Sequence, residues 1–146
     1  MANIAVVEAF IAALGSGDAE AALGRLHDDV RVSEPAGLPM GGEYVRKAGF
    51  VDFLGRVAAT YDVKIHRATV HDAGEVAVAH LDLTWTAHAT GASLNTRFCE
   101  LYTVDGDKIA AIDVYPKDTR ALYELLTGAA DERPGLTGEP KPLAPQ

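Results

Sequence analysis

Residues 61–116 read YDVKIHRATVHDAGEVAVAHLDLTWTAHATGASLNTRFCELYTVDGDKIAAIDVYP. Alternating apolar and polar residues recur throughout this stretch, and the spacing predicts strands over about 62–71, 75–88, 93–104 and 108–115. Asp72-Ala73-Gly74, Thr90-Gly91 and Asp105-Gly106-Asp107 separate them, and these are hairpin-type turn sequences. Four long strands joined by tight turns make an antiparallel array.

Upstream the period changes. Ile4, Val7, Ile11 and Leu14, with Phe10 beside them, recur at three and four residues and predict a helix. Gly15-Ser16-Gly17 stops it, and Asp18 is a good N-cap for a short second helix through Leu26. Val30, Val32 and Glu34 then share one face of a strand that Pro35 and Gly37 end. Pro39 to Gly42 is read as loop. A third helix, from about Glu43 or Val45 to Ala59, buries Phe50, Phe53, Leu54 and Val57. Downstream, Asp118 caps a last helix to about Thr127, and Gly128 ends it. Pro134, Pro140, Pro142 and Pro145 punctuate a polar stretch without periodicity. The chain therefore divides into one domain, 1–127, and a disordered Pro-rich tail, 128–146. Helices interleaved with one strand, then four strands, is an α+β layout. A strongly twisted, mixed or antiparallel sheet curling around helices forms a cone whose open end is a pocket.

Composition excludes whole classes of function. A formal net charge of −8 over 146 residues argues against nucleic acid and anionic membrane as partners. One cysteine excludes an internal disulfide and a Cys-rich zinc site, and His27, His66, His71 and His88 show no metal-ligand spacing, so no metal is expected. No apolar run approaches the roughly 20 residues that span a bilayer, and no secretory signal opens the chain. A cytoplasmic protein is expected. No phosphate-cradling glycine loop or dinucleotide fingerprint is present, so no cofactor is expected either.

Three polar features sit where apolar residues are expected. Glu34 continues the parity of Val30 and Val32, so its carboxyl points into the interior, or else the strand has ended and it reaches water beside Pro35. Glu100 lies between Phe98 and Tyr102 on one strand face, opposite Arg97, Cys99, Leu101 and Thr103. Both faces are partly apolar, and parity alone does not choose between them. His80 and Asp82 share a face with Val78, Thr84 and Thr86, while Ala79, Leu81, Leu83 and Trp85 occupy the other. Either the polar face lines a pocket and the apolar face needs a cover, or the apolar face is core and the pair is solvated. An imidazole and a carboxylate on one face can share a proton task. Cys99 reads as a small packed hydrophobe.

Several segments together resemble the nuclear transport factor two-like superfamily, in particular the SnoaL-like polyketide cyclases and ketosteroid isomerase. They are Phe10-Ile11-Ala12-Ala13-Leu14 with Gly17-Asp18, Val30-Arg31-Val32-Ser33-Glu34-Pro35, Gly41-Gly42-Glu43-Tyr44-Val45, and Glu100-Leu101-Tyr102 leading to Asp105-Gly106-Asp107-Lys108-Ile109. The resemblance covers about residues 4–127. It implies a cystatin-like α+β barrel, that is, a cone-shaped sheet around helices. Ketosteroid isomerases carry a general-base carboxylate in an acid-Pro-x-Gly segment, which Glu34-Pro35-Ala36-Gly37 matches. They carry a protonated carboxyl on the penultimate strand, where Glu100 falls. The family's oxyanion tyrosine corresponds to Phe10 here, and a supporting tyrosine to about Leu54. Limonene epoxide hydrolases are similar in placing an Arg-x-Asp pair where His80-Leu81-Asp82 lies, which implies that His80 and Asp82 look into the pocket.

The resemblance implies a small enzyme of bacterial secondary metabolism, such as antibiotic biosynthesis. It would cyclise, isomerise or open an epoxide in a small hydrophobic, polyketide-like substrate by acid–base chemistry. The expected catalytic residues are Glu34, His80, Asp82 and Glu100, with Phe10, Met40, Tyr44, Phe53, Phe98 and Tyr102 as substrate-binding walls. The rival reading is a non-catalytic protein that binds a hydrophobic metabolite. With His80 and Asp82 inward, Leu81, Leu83 and Trp85 would form an exposed apolar patch, so a homodimer through the outer sheet face is expected.

Overall fold

The computed structural model describes residues 3–128. Helix α1 (Ile4–Gly15) buries Val6, Val7, Phe10 and Ile11. Asp18 caps α2 (Ala19–Gly24), its carboxylate accepting from the Ala21 N–H at 3.0 Å. Strand β1 (Leu26–Glu34) starts earlier than periodicity predicts, because Leu26 is buried and paired with Ile109 instead of ending the helix. Strand β2 (Gly42–Val45) occupies residues read as loop and helix start, and pairs Tyr44 with Val32 of β1. Then come α3 (Arg46–Thr60), β3 (Tyr61–Asp72), β4 (Val76–Ala87), β5 (Ser93–Asp105), β6 (Lys108–Pro116) and α4 (Thr119–Glu124). Asp118 caps α4 by accepting from the Ala121 N–H at 2.9 Å. The four strands of residues 61–116 match their predicted limits to within about two residues. Residues 129–146, nearly all of the expected tail, lie outside the described residues.

The six strands form one sheet in the order β2-β1-β6-β5-β4-β3. Every neighbouring pair is antiparallel except β1 and β6, which run parallel, so the sheet is mixed. Bulges lie at His66 of β3, between Ile65 and Arg67, and at Ala110 of β6, opposite Thr103 and Val104. Such irregularities bend a strand and increase its twist. The sheet curls without closing, and α1 and α3 fill its concave side. Phe10 of α1 sits 5.7 Å from Phe50 of α3 and 6.0 Å from Tyr102 of β5, centroid to centroid. Helix α4 is tied to the sheet by side-chain donors: Tyr61 Oη to the Leu122 carbonyl at 2.8 Å and Thr90 Oγ1 to the Leu125 carbonyl at 2.6 Å. No helix among the described residues is long and apolar enough to cross a membrane.

The two faces of β4 settle a question that parity left open. Leu81, Leu83 and Trp85 point inward and are buried, and His80 and Asp82 point outward. The pairing enforces this. Leu81 faces Phe98 and Ala79 faces Glu100 in the β4–β5 ladder, so an inward Glu100 carries Leu81 inward and His80 outward. His80 and Asp82 do not bond each other: Asp82 Oδ1 instead lies 3.2 Å from Arg97 Nε, its partner across the ladder. The apolar outer patch of Leu81, Leu83 and Trp85, on which the expected homodimer rested, is therefore core. Cys99, paired with His80, is exposed and not packed.

Candidate active site

Glu34 is the last residue of β1, and its position follows from the strand. Val30 and Val32 are buried on the inner face, and the same alternation brings Glu34 to that face. The strand ends there because Pro35 has no N–H to continue the ladder. The chain turns through Leu38, whose N–H donates to the Pro35 carbonyl at 3.2 Å, and returns at Gly41. A Cβ at Gly41 would overlap the Pro35 carbonyl oxygen, so this return requires glycine. Ser33 is in register with Asp113, and Glu100 with Val114. One residue beyond Ser33, Glu34 comes level with Val114. Glu34 and Glu100 thus flank Val114 from β1 and β5, on one face of the sheet. Their strands are two spacings apart, about 10 Å between backbones.

Both carboxyls open into a cavity of about 200 Å³ between the sheet and the two long helices. Phe10, Ile11 and Leu14 line it from α1, and Phe50, Phe53, Leu54 and Val57 from α3. Leu81, Leu83, Trp85 and Phe98 line it from the sheet, and Trp85 stacks on Phe98 at 5.4 Å. The walls are apolar, and among the described residues no Lys, Arg or His lines the cavity.

An apolar, uncharged wall disfavours ionisation of a carboxyl. Burial is the main reason that the Glu34 carboxyl is pushed up to about 8, with the nearby Glu100 and then Asp113 adding to it. Burial also raises Glu100, opposed by the Tyr102 hydroxyl, which donates to Glu100 Oε1 at 2.7 Å. The Tyr102 phenol is held well above its ordinary value, first by burial and then by the Glu100 charge beside it. Glu34, Glu100 and Tyr102 therefore form one coupled set in which burial raises each group above its ordinary value. Such a set can take up a proton at one carboxyl and donate a hydrogen bond from the other. Among the described residues, no three His, Cys, Asp or Glu side chains stand together as a metal site would require.

Of the residues expected at the site, Glu34, Glu100, Phe10, Phe53, Phe98 and Tyr102 line this cavity. Met40 and Tyr44 do not. Tyr44 packs edge-on behind Phe53 at 5.3 Å, and its hydroxyl donates to the Met40 carbonyl at 2.7 Å, so the pair supports a wall instead of forming one. His80 and Asp82 are on the far side of the sheet, because their neighbours in the alternation are the larger apolar groups. Sequence reading missed Trp85 as a lining residue by giving β4 the opposite orientation. It also left Asp113 without a role, although the charge of Asp113 acts on Glu34.

Residues 7–112 match the SnoaL-like domain. No curated protein matches the chain in sequence. Among solved structures, a nuclear transport factor two-like protein of unknown function from Burkholderia pseudomallei superposes with a TM-score of 0.79 at 21% identity, covering 87% of this chain and 99% of that one. TerC, co-crystallised with polyporic acid, gives 0.78 at 23% identity, covering 86% and 98%. A candidate polyketide cyclase from Xanthomonas campestris pv. campestris gives 0.72 at 21%, covering 84% and 95%. At these identities the likeness is one of fold.

Proposed function

The chain belongs to the SnoaL-like family, and from that premise we propose that it is a cofactor-independent acid–base enzyme that isomerises or cyclises a hydrophobic, polyketide-like substrate. One observation carries this reading: two carboxyls and a phenol, with no Lys, Arg or His among the described residues beside them, stand together in an otherwise apolar cavity. A site built only to hold an apolar ligand gains nothing from desolvated carboxyls, which cost stability.

The chemistry follows from their positions. An apolar substrate displaces water from the cavity and brings an acidic C–H beside a carbonyl to Glu34. The ionised Glu34 carboxylate takes that proton and becomes neutral. The electron pair left behind moves onto the carbonyl oxygen, and the protonated Glu100 donates a hydrogen bond to it. The Tyr102 hydroxyl steadies Glu100 from behind. The resulting enolate either regains the proton from Glu34 at another carbon, which is isomerisation, or attacks a second carbonyl of the same molecule, whose oxygen becomes an alkoxide and takes the proton from Glu34, which is cyclisation. With His80 and Asp82 outside the cavity, nothing in it supports epoxide opening by that pair.

The test uses 2-tetralone, an enolisable bicyclic ketone, in D2O. Exchange of its C–H for C–D is followed by NMR with the whole protein. Faster exchange with the wild-type chain, lost in Glu34→Gln, is expected. Equal exchange in the two proteins would remove Glu34 as the base.

A second reading, a protein that holds a hydrophobic metabolite unchanged, is favoured by the apolar walls and by the co-crystallisation of TerC with polyporic acid. Saturable binding of polyporic acid, recovered intact and without C–H exchange in any enolisable ketone, would support it over catalysis.

A further inference from the structure

Glu34 and Val114 line the internal cavity, and they also line a separate cleft of about 340 Å³. The cleft exists because two neighbouring strands have unequal length. Strand β1 stops at Glu34, whereas β6 runs on to Pro116, paired with β5 as far as Phe98. Beyond Glu34, β6 therefore has no neighbouring strand on its β1 side among the described residues, and a notch opens in the sheet. Ser33, Glu34, Pro35, Asp113, Tyr115 and Thr119 are among its lining residues.

The two cavities differ in chemistry. The inner one is apolar apart from its carboxyls and the Tyr102 hydroxyl. The notch carries the Ser33 hydroxyl, which donates to Glu43 Oε1 at 2.8 Å, and the Asp113 carboxylate, which accepts from the Tyr115 hydroxyl at 2.7 Å. Tyr115 itself is 53% exposed. A polar opening of this size with several hydrogen-bonding partners holds water readily. Around Glu34 the ionisable groups are Glu100 and Tyr102 from β5, Asp113 and Tyr115 from β6, and Glu43 from β2 by way of Ser33. Among the described residues no Lys, Arg or His lines either cavity.

We infer that the notch is a second door to Glu34, through which water reaches the carboxyl while a substrate occupies the cavity, with the Asp113 carboxylate, steadied by Tyr115, ordering that water. A base that has taken a proton from substrate inside can exchange it with this water on the other side before a proton returns to the product. Asp113 is then a positioning residue. The door matters to catalysis only if Glu34 is the base proposed above.

The experiment needs no turnover, so its failure and that of the base assignment are distinguishable. Rotating-frame NMR on the labelled full chain detects transfer from water to the Glu34 Hγ protons. A cross-peak is expected in the wild type. It should vanish in Thr119→Trp, which fills the notch from the start of α4, and persist in Leu54→Trp, which fills the cavity from α3. The reverse pattern, or no cross-peak in the wild type, would overturn the inference. If Thr119→Trp does not fold, Asp113→Leu makes the notch apolar and should also abolish the cross-peak; survival of the peak there would overturn it. In Asp113→Asn the Glu34 carboxyl, followed by its 13C shift, should titrate below its value of about 8. An unmoved midpoint would remove Asp113 from the role.

Discussion

Strands β4 and β5 carry charged groups on both faces, and the two faces treat them differently. On the outer face Asp82 meets Arg97 at 3.2 Å, and the two charges compensate each other at the edge of water. On the inner face Glu100 meets the charge of Glu34 and the hydroxyl of Tyr102, and among the described residues no cation lines the cavity they share. The outer carboxyl has a guanidinium opposite it. The inner ones have no such cation among the described residues, and burial favours their protonated forms. The Glu34 carboxyl, pushed up to about 8 by its apolar walls, sits close to the point of proton exchange near neutrality. The side chains are of one chemical type on both faces, and the partner decides which of them is fit for chemistry.

The largest expected difference between the faces is in rate. Glu34→Gln keeps the size and hydrogen bonding of the side chain and removes the proposed base. Exchange of 2-tetralone in D2O should fall by roughly 10² to 10⁴, with binding largely kept. In the wild type the rate should also climb with pH up to about 8, where the Glu34 carboxyl becomes ionised. A flat profile between pH 6 and 8 would detach the rate from Glu34.

Next in size is packing, compared at two adjacent residues. Phe98 is 4% exposed and stacked on Trp85, whereas Cys99 is exposed on the other side of the same strand. Phe98→Ala removes a large buried ring and should cost roughly 3 to 5 kcal/mol in denaturant unfolding. Cys99→Ala should stay within about 0.5 kcal/mol. A similar cost at both would mean that the outer face is covered by something in solution.

The third effect is the stability that the inner face gives up. Glu34 is raised from 4.5 to about 8 on folding, so between those values the folded chain holds a proton that the unfolded chain has lost. Stability therefore falls as the pH rises through that window and is flat on either side. Glu34→Gln has no such slope. The variant should match the wild type near pH 4 and exceed it by roughly 2 to 4 kcal/mol near pH 9. Equal stability of the two at pH 9 would place the Glu34 carboxyl in water.

How far the sequence carries the reader differs between these faces too. The Asp18 and Asp118 caps, the α1 stripe and the four long strands are local patterns, and the chain states them directly. Glu34 is legible because Val30 and Val32 fix its parity over one short strand. Strand β2 is not, since Gly42–Val45 is too short to show a period and exists only through its pairing with β1. The notch likewise depends on which strands end up adjacent. The orientation of β4 is implicit in the chain through its turn. The loop of four residues, His88 to Gly91, closes between Ala87 and Ala92, and any even-numbered hairpin loop pairs odd residues with even ones. An inward Glu100 and an inward His80 are therefore mutually exclusive. Around the β5–β6 turn the bulge at Ala110, opposite Thr103 and Val104, breaks that rule, so Ile112 and Val114 face the cavity by a shift that no local pattern announces.

The smallest effects belong to the outer pair, and their smallness is what separates the two faces. Asp82→Asn removes one charge from a half-buried ion pair while keeping the shape of the side chain. Partly exposed pairs of this kind contribute at most about 1 kcal/mol, since water and the cost of ordering Arg97 offset the attraction. The substitution should lower stability by that much or less. His80→Ala, at an exposed position opposite Cys99, should change it by less than about 0.5 kcal/mol. Neither should alter exchange of 2-tetralone or the Glu34 carboxyl titration, because β4 itself, with Leu81 and Leu83 facing inward, lies between these groups and the cavity. A loss of exchange in Asp82→Asn comparable to that in Glu34→Gln would mean that the outer face takes part in the reaction, and the assignment of chemistry to the inner carboxyls would then fail.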